Sequence, residues 1–110
     1  MIRSKAFKLI NLKDQKLLPE EVWEWIHVSK RDMGLHKFLY GNKKYYLITL
    51  GERPNPGHQI ELTNVEELEQ KIVVYAKDVL PSPGGFYPQV IVYPYLVAEV
   101  EKPIEVKLSV

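Results

Sequence analysis

Three histidines, four serines and two runs of neighbouring acids are the residues of this 110-residue chain that could carry chemistry. His27, His36 and His58 stand nine and twenty-two residues apart. Neither gap is a zinc or metalloprotease spacing, and the chain has no cysteine to complete a metal site. None of Ser4, Ser29, Ser82 and Ser109 lies in G-x-S-x-G or S-x-x-K, the contexts that expose and activate a serine nucleophile. The acids "PEE" at 19–21 and "VEELE" at 65–69 read as a helix start and a solvated loop. "KKYY" at 43–46 mixes cations and aromatics as single-strand nucleic acid binders do. Its simpler reading is a hairpin strand with one tyrosine inward and one outward. These patterns predict no catalysis, metal, cofactor or nucleic acid partner.

What remains is two loops rich in proline and glycine, "GERPNPGH" at 51–58 and "PSPGGFYP" at 81–88. Neither fits a phosphate-binding glycine loop, since G-x-x-x-x-G-K-[ST] and G-x-G-x-x-G are both absent. Proline and glycine punctuate all β proteins, but loops stiffened this way also cost little entropy to hold for a partner. Arg53, Pro54, Asn55, His58, Phe86 and Tyr87 are the side chains such loops would present, arginine and aromatics being the usual interface anchors. Two readings of these loops stand open at this point, turn punctuation and non-enzymatic protein binding.

The elements that must position these loops follow from periodicity. "KAFKLINL" reads as a first strand. "LPEEVWEWIHVSKRDMG" at 18–34 predicts a helix, with Pro19, Glu20 and Glu21 in its first turn and Gly34 as its stop. Leu18, Val22, Trp25, Ile26, Ser29 and Met33 make its apolar stripe, and Val22, Ile26 and Met33 are its expected core residues. Trp23 lies about 200° round from Trp25 and so faces elsewhere. "LHKFLYGNKKYYLITLG" predicts a hairpin turning at Gly41-Asn42. "HQIELTNV" alternates, and "KIVVYAKDV" resumes as a strand. "QVIVYPYLVAEV" reads as a central strand with Pro94 as a local irregularity, and "PIEVKLSV" closes the chain. Strands at 44–50, 72–76 and 90–98 are expected to supply the rest of the core.

Bulk properties agree with one domain over residues 1–110. Hydrophobic residues are 45% and charged residues 26%, ordinary for a globular chain. The net charge of +1 hides an asymmetry: ten Lys and Arg against five Asp and Glu in residues 1–50, then five against nine in 51–110. The cations are dispersed, so they read as solvated faces of a dipolar domain. No stretch reaches the ~20 apolar residues of a membrane span. "MIRSKAFKLI" lacks an apolar h-region, so no secretory signal is expected, and compartment and oligomeric state stay unassigned.

"LPEEVWEWI", "KKYYLITLGERPNPGHQIEL", "KIVVYAKDVLPSPGG" and "QVIVYPYLVAEV" together resemble the C-terminal domain of the protease complex subunit PrcB family over roughly residues 18–100. Gly51, Glu52, Pro54 and Gly57 match its first motif; Pro83, Gly84, Gln89, Tyr93, Pro94 and Tyr95 match its last. Pro56-Gly57-His58 stands where the family turn usually runs Gly-Gly-Tyr, and Phe86-Tyr87-Pro88 is bulkier than the family loop. The resemblance implies an accessory domain that binds and supports a protease, typically in exported bacterial proteins. A fainter likeness, through Asn55-Pro56-Gly57, is to chagasin-type protease inhibitors, which would use the 52–58 and 83–88 loops. The expected fold is α+β: one N-terminal helix packed on a mostly antiparallel β-sheet or β-sandwich of about seven strands.

Overall fold

Tyr45 and Tyr46 are neighbours in sequence, yet they are only 2% and 7% exposed. Successive residues of a strand point to opposite faces, so burying both requires cover on both sides of the sheet. The computed structural model describes residues 5–110 and provides that cover in two ways. Strands β1 (Phe7–Leu9), β2 (Gly34–Tyr40), β3 (Lys43–Thr49) and β6 (Tyr95–Val100) form one antiparallel sheet in the order β1-β6-β3-β2. Strands β4 (Gln59–Glu67), β5 (Ile72–Val79) and β7 (Ile104–Ser109) form a second, with β5 central. Helices α1 (Leu12–Gln15) and α2 (Glu20–Ser29) complete the elements. The described residues are β-rich, with seven strands in two mostly antiparallel sheets, and are consistent with an α+β class. The exception to antiparallel pairing is β5 with β7, which run parallel.

Two apolar clusters lie on opposite sides of β3 and β6. One joins Tyr46, Ile48, Ala98 and Val100 to Ile72 and Val74 of the second sheet. The other joins Tyr45, Leu47 and Val97 to Val22 and Ile26 of α2. The expectation of one inward and one outward tyrosine in "KKYY" is thus corrected, because the face opposite the second sheet is covered as well. Trp25 stacks on Phe38 with centroids 5.2 Å apart, while Trp23 lies on the helix exterior edge-on to His27 at 4.5 Å.

The helix is shorter than its sequence pattern. Pro19 is its N-cap, and it closes with the Lys30 N–H donating to the Ile26 carbonyl at 2.9 Å. Beyond it, the Asp32 carbonyl accepts from the Thr49 hydroxyl and meets His36 Nε2 at 2.9 Å, so it is drawn to the sheet. Gly34 opens β2 with φ +141 instead of stopping the helix, and Met33, expected in the core, is 65% exposed. "KAFKLINL" yields only the three residues of β1, since the Asn11 side chain accepts from the Asp14 N–H at 2.9 Å and starts α1. Gly41, at φ +61, supports the β2–β3 turn.

The stretch 89–94 is not part of a central strand, and Val90 and Ile91 are more than half exposed. Pro94 explains the boundary. The Leu50 N–H donates to the Pro94 carbonyl at 3.1 Å, but proline has no N–H to return the bond. Pairing resumes once, where Arg53 and Val92 exchange both backbone bonds at 2.9 Å. Between these two points Gly51 and Glu52 stand opposite Tyr93 alone, a bulge with Gly51 in the left-handed region at φ +76. "VEELE" also departs from the expected loop: β4 runs through Glu67, with its own register shift between Leu62 and Asn64.

Candidate functional site

The bulge at Gly51 turns the chain from β3 into the 51–58 loop, and Arg53 fastens that loop to the 89–94 stretch and to the second sheet. Its backbone pairs with Val92, while its guanidinium donates to Asp78 Oδ2 of β5 at 3.0 Å. The two side chains are 20% and 12% exposed, so this ion pair is largely shielded from solvent. Asn55 Oδ1 accepts from the Gly57 N–H at 2.9 Å, the Asx-type closure that asparagine makes in a tight turn.

The 81–88 loop folds over this turn. The Gly85 N–H donates to the Ser82 carbonyl at 3.1 Å, and Gly84 takes φ +76. The Ser82 N–H donates to the Tyr87 hydroxyl at 3.0 Å. Hydrogen bonds from the Ser82 side chain and then from its backbone hold that hydroxyl below its usual value of 10.0. A Cβ added at Gly57 would stand 2.9 Å from Asn55 Oδ1, from Pro81 Cβ and from Tyr87 Cε1. The two loops therefore meet, with Gly57 as the point of close approach.

Their junction forms an open cleft of about 570 Å³ lined by Glu52, Pro54, Asn55, Gly85, Tyr87, Gln89 and Ile91. Of the six residues predicted from sequence, Pro54, Asn55 and Tyr87 line it. Phe86 projects beside it with its ring fully exposed. Arg53 is held by Asp78 and acts as a tether. His58 is half-buried, with Nδ1 buried and without a hydrogen-bond partner, as is Asp78 Oδ1. Sequence reasoning missed Glu52, Gln89 and Ile91. The signal for the last two was Pro94, which limits the strand and frees the residues before it.

Among the described residues, no group of three or more His, Cys, Asp or Glu is placed to hold a metal ion. No helix among them is long and apolar enough to cross a membrane.

A two-sheet β-rich domain with a loop-built cleft and an exposed aromatic is the class of protein that these features define. The chain belongs to the PrcB C-terminal family, which it matches over residues 44–101. The match covers β3 to β6 and both loops, and α2 lies outside it. The chain is also 31% identical over 97 residues to an uncharacterized protein of Methanocaldococcus jannaschii, a match spanning 86% of this chain and 59% of that protein. The chain thus aligns with little more than half the length of that relative. No solved structure matches it.

Proposed function

We propose that the domain is a non-enzymatic protein-binding module that serves as an accessory or stabilising partner of a protease. The observation that carries this reading is the convergence of the 51–58 and 81–88 loops on one cleft, with the Phe86 ring fully exposed beside it. An aromatic left wholly in water gains more from a partner pocket than from anything in its own domain. Val90 and Ile91, also exposed, extend the apolar surface. Pro54, Asn55, Phe86 and Tyr87 make the contacts; Arg53 and His58 support the loop beneath them. Membership of the PrcB C-terminal family supports a protease as the partner.

The test is capture followed by turnover. The purified chain is immobilised, exposed to extract of its source, and compared with Phe86→Ala and Phe86→Ala/Ile91→Asp. The expected result is a protease retained by the parent, lost by the variants, and active while bound. A retained protease whose turnover stops at equal stoichiometry would make the domain an inhibitor of the chagasin type. No retained protease would overturn the reading.

A further inference from the structure

The chain from Ile91 to Tyr95 has a sheet neighbour on only one side. Val92 and Pro94 direct their backbone groups at Arg53 and Leu50. Backbone groups of successive extended residues alternate in direction, so those of Ile91, Tyr93 and Tyr95 point the opposite way. β1 covers that side of β6 only at residues 98–100, with one further bond from the Ile10 N–H to the Val97 carbonyl at 2.9 Å. After Asn11 the chain turns into α1, leaving a groove of about 300 Å³ lined by Leu12, Gln15, Tyr93 and Tyr95, in which the Tyr95 hydroxyl donates to Gln15 Oε1 at 2.6 Å. Among the described residues, no hydrogen bond reaches the backbone of Ile91 or Tyr93. The proline does not spoil this edge, because the N–H it lacks would face Leu50.

Charge marks the same place. Lys30 Nζ and Arg31 Cζ lie 5.6 and 5.5 Å from the centroid of the Tyr93 ring. Among the described residues neither forms an ion pair; Lys37 and Lys107, over Tyr46 and Tyr75, form none either, but Lys30 and Arg31 are the two that meet over one ring. Two cations without an anion thus flank Tyr93, an aromatic that sits on an unpaired backbone edge.

We propose that the Ile91–Tyr95 edge receives an extended segment of a protein partner as an added strand, with an acidic side chain of that segment held by Lys30 and Arg31 above Tyr93. Backbone bonds to the edge supply affinity, and the two cations select the acidic residue. The inference rests on the protein-binding reading and specifies a second contact and its chemistry, apart from the Phe86 loop.

The test uses the full chain and fluorescein-labelled peptides of alternating valine and threonine whose central residue is Glu, Gln or Lys. The Glu peptide is expected to bind roughly tenfold tighter than the Lys peptide, a preference that Lys30→Gln/Arg31→Gln removes. Hydrogen exchange at the Ile91 and Tyr93 amides is expected to be fast in the free chain and slowed in the complex. Methylating the backbone nitrogens of the peptide is expected to abolish binding. Equal binding of all three peptides, no binding, or Tyr93 protection already present in the free chain would each overturn the proposal. A protease captured by Lys30→Gln/Arg31→Gln as well as by the parent, but lost by Phe86→Ala, would leave the accessory reading intact and sink this one. A parent that captures no protease would sink the accessory reading, and the peptide titration would still decide whether the edge binds strands.

Discussion

Phe86 and Gly57 make opposite predictions although they belong to one site. Phe86 is fully exposed, so Phe86→Ala is expected to leave stability within about 0.5 kcal/mol of the parent while partner capture is lost. Gly57 is buried where the loops cross, and any side chain there meets the Pro81 ring at 2.9 Å. Gly57→Ala is expected to cost roughly 1–3 kcal/mol, read as a lower urea midpoint at unchanged slope. Arg53→Ala belongs with Gly57. It leaves Asp78, already carrying one unpartnered oxygen, with none of its charge matched by an ion pair. Its expected loss is about 1–3 kcal/mol in the same measurement, and its effect on capture follows from the loop it releases. Residue type alone marked these positions as special, since "GERPNPGH" and "PSPGGFYP" announce constrained backbone. It did not separate tether from contact, because Asp78, the residue that decides Arg53's role, lies twenty-five positions away on another strand.

At the scale of elements, α2 and β3 show what periodicity captures and what it leaves out. The stripe through Val22 and Ile26 was legible, and both residues are completely buried. Ile26→Ala is expected to destabilise by about 2–5 kcal/mol, seen by thermal or urea denaturation. The end of the helix was not legible, because the Asp32 carbonyl is claimed by Thr49 and His36 from outside the helix. β3 was legible as a strand but not as a doubly covered one, since cover is a property of neighbouring layers. That cover has a consequence in alkali. Burial pushes the Tyr45 hydroxyl above its usual value of 10.0, and burial does the same to Tyr95. With the folded value raised above the unfolded one, the stabilising contribution of the neutral phenol is whole below pH ~10 and is lost as pH rises through the folded value. Circular dichroism between pH 8 and 12 is expected to show alkaline unfolding, with its midpoint moved upward in Tyr45→Phe. Tyr95→Phe is expected to differ, because it also leaves Gln15 Oε1 without the hydroxyl that donates to it at 2.6 Å, a loss of about 1 kcal/mol at neutral pH.

For the whole molecule, the sequence made strand number and the hairpin readable, since each depends on spacing within a short window. The parallel β5–β7 pair and the meeting of the two loops were not readable. The first depends on how the 101–103 turn carries the chain from one sheet to the other, and the second on the approach of Gly57 to Pro81 and Tyr87, far apart in the chain. One further consequence comes from β1. Its Phe7 lies opposite Val100, so β1 finds its sheet partner only once β6 has been made. Until then the edge of β3 opposite β2 has no strand beside it, and its backbone groups are open to water or to other chains. At a translation rate of ~5–20 residues per second, that interval lasts on the order of seconds, longer than many domains need to fold. A nascent chain arrested before residue 95 is expected to stay protease-sensitive, and one extended past residue 100 and clear of the ribosome to become resistant. The unfinished sheet therefore carries an open β3 edge that the finished one has closed with β6.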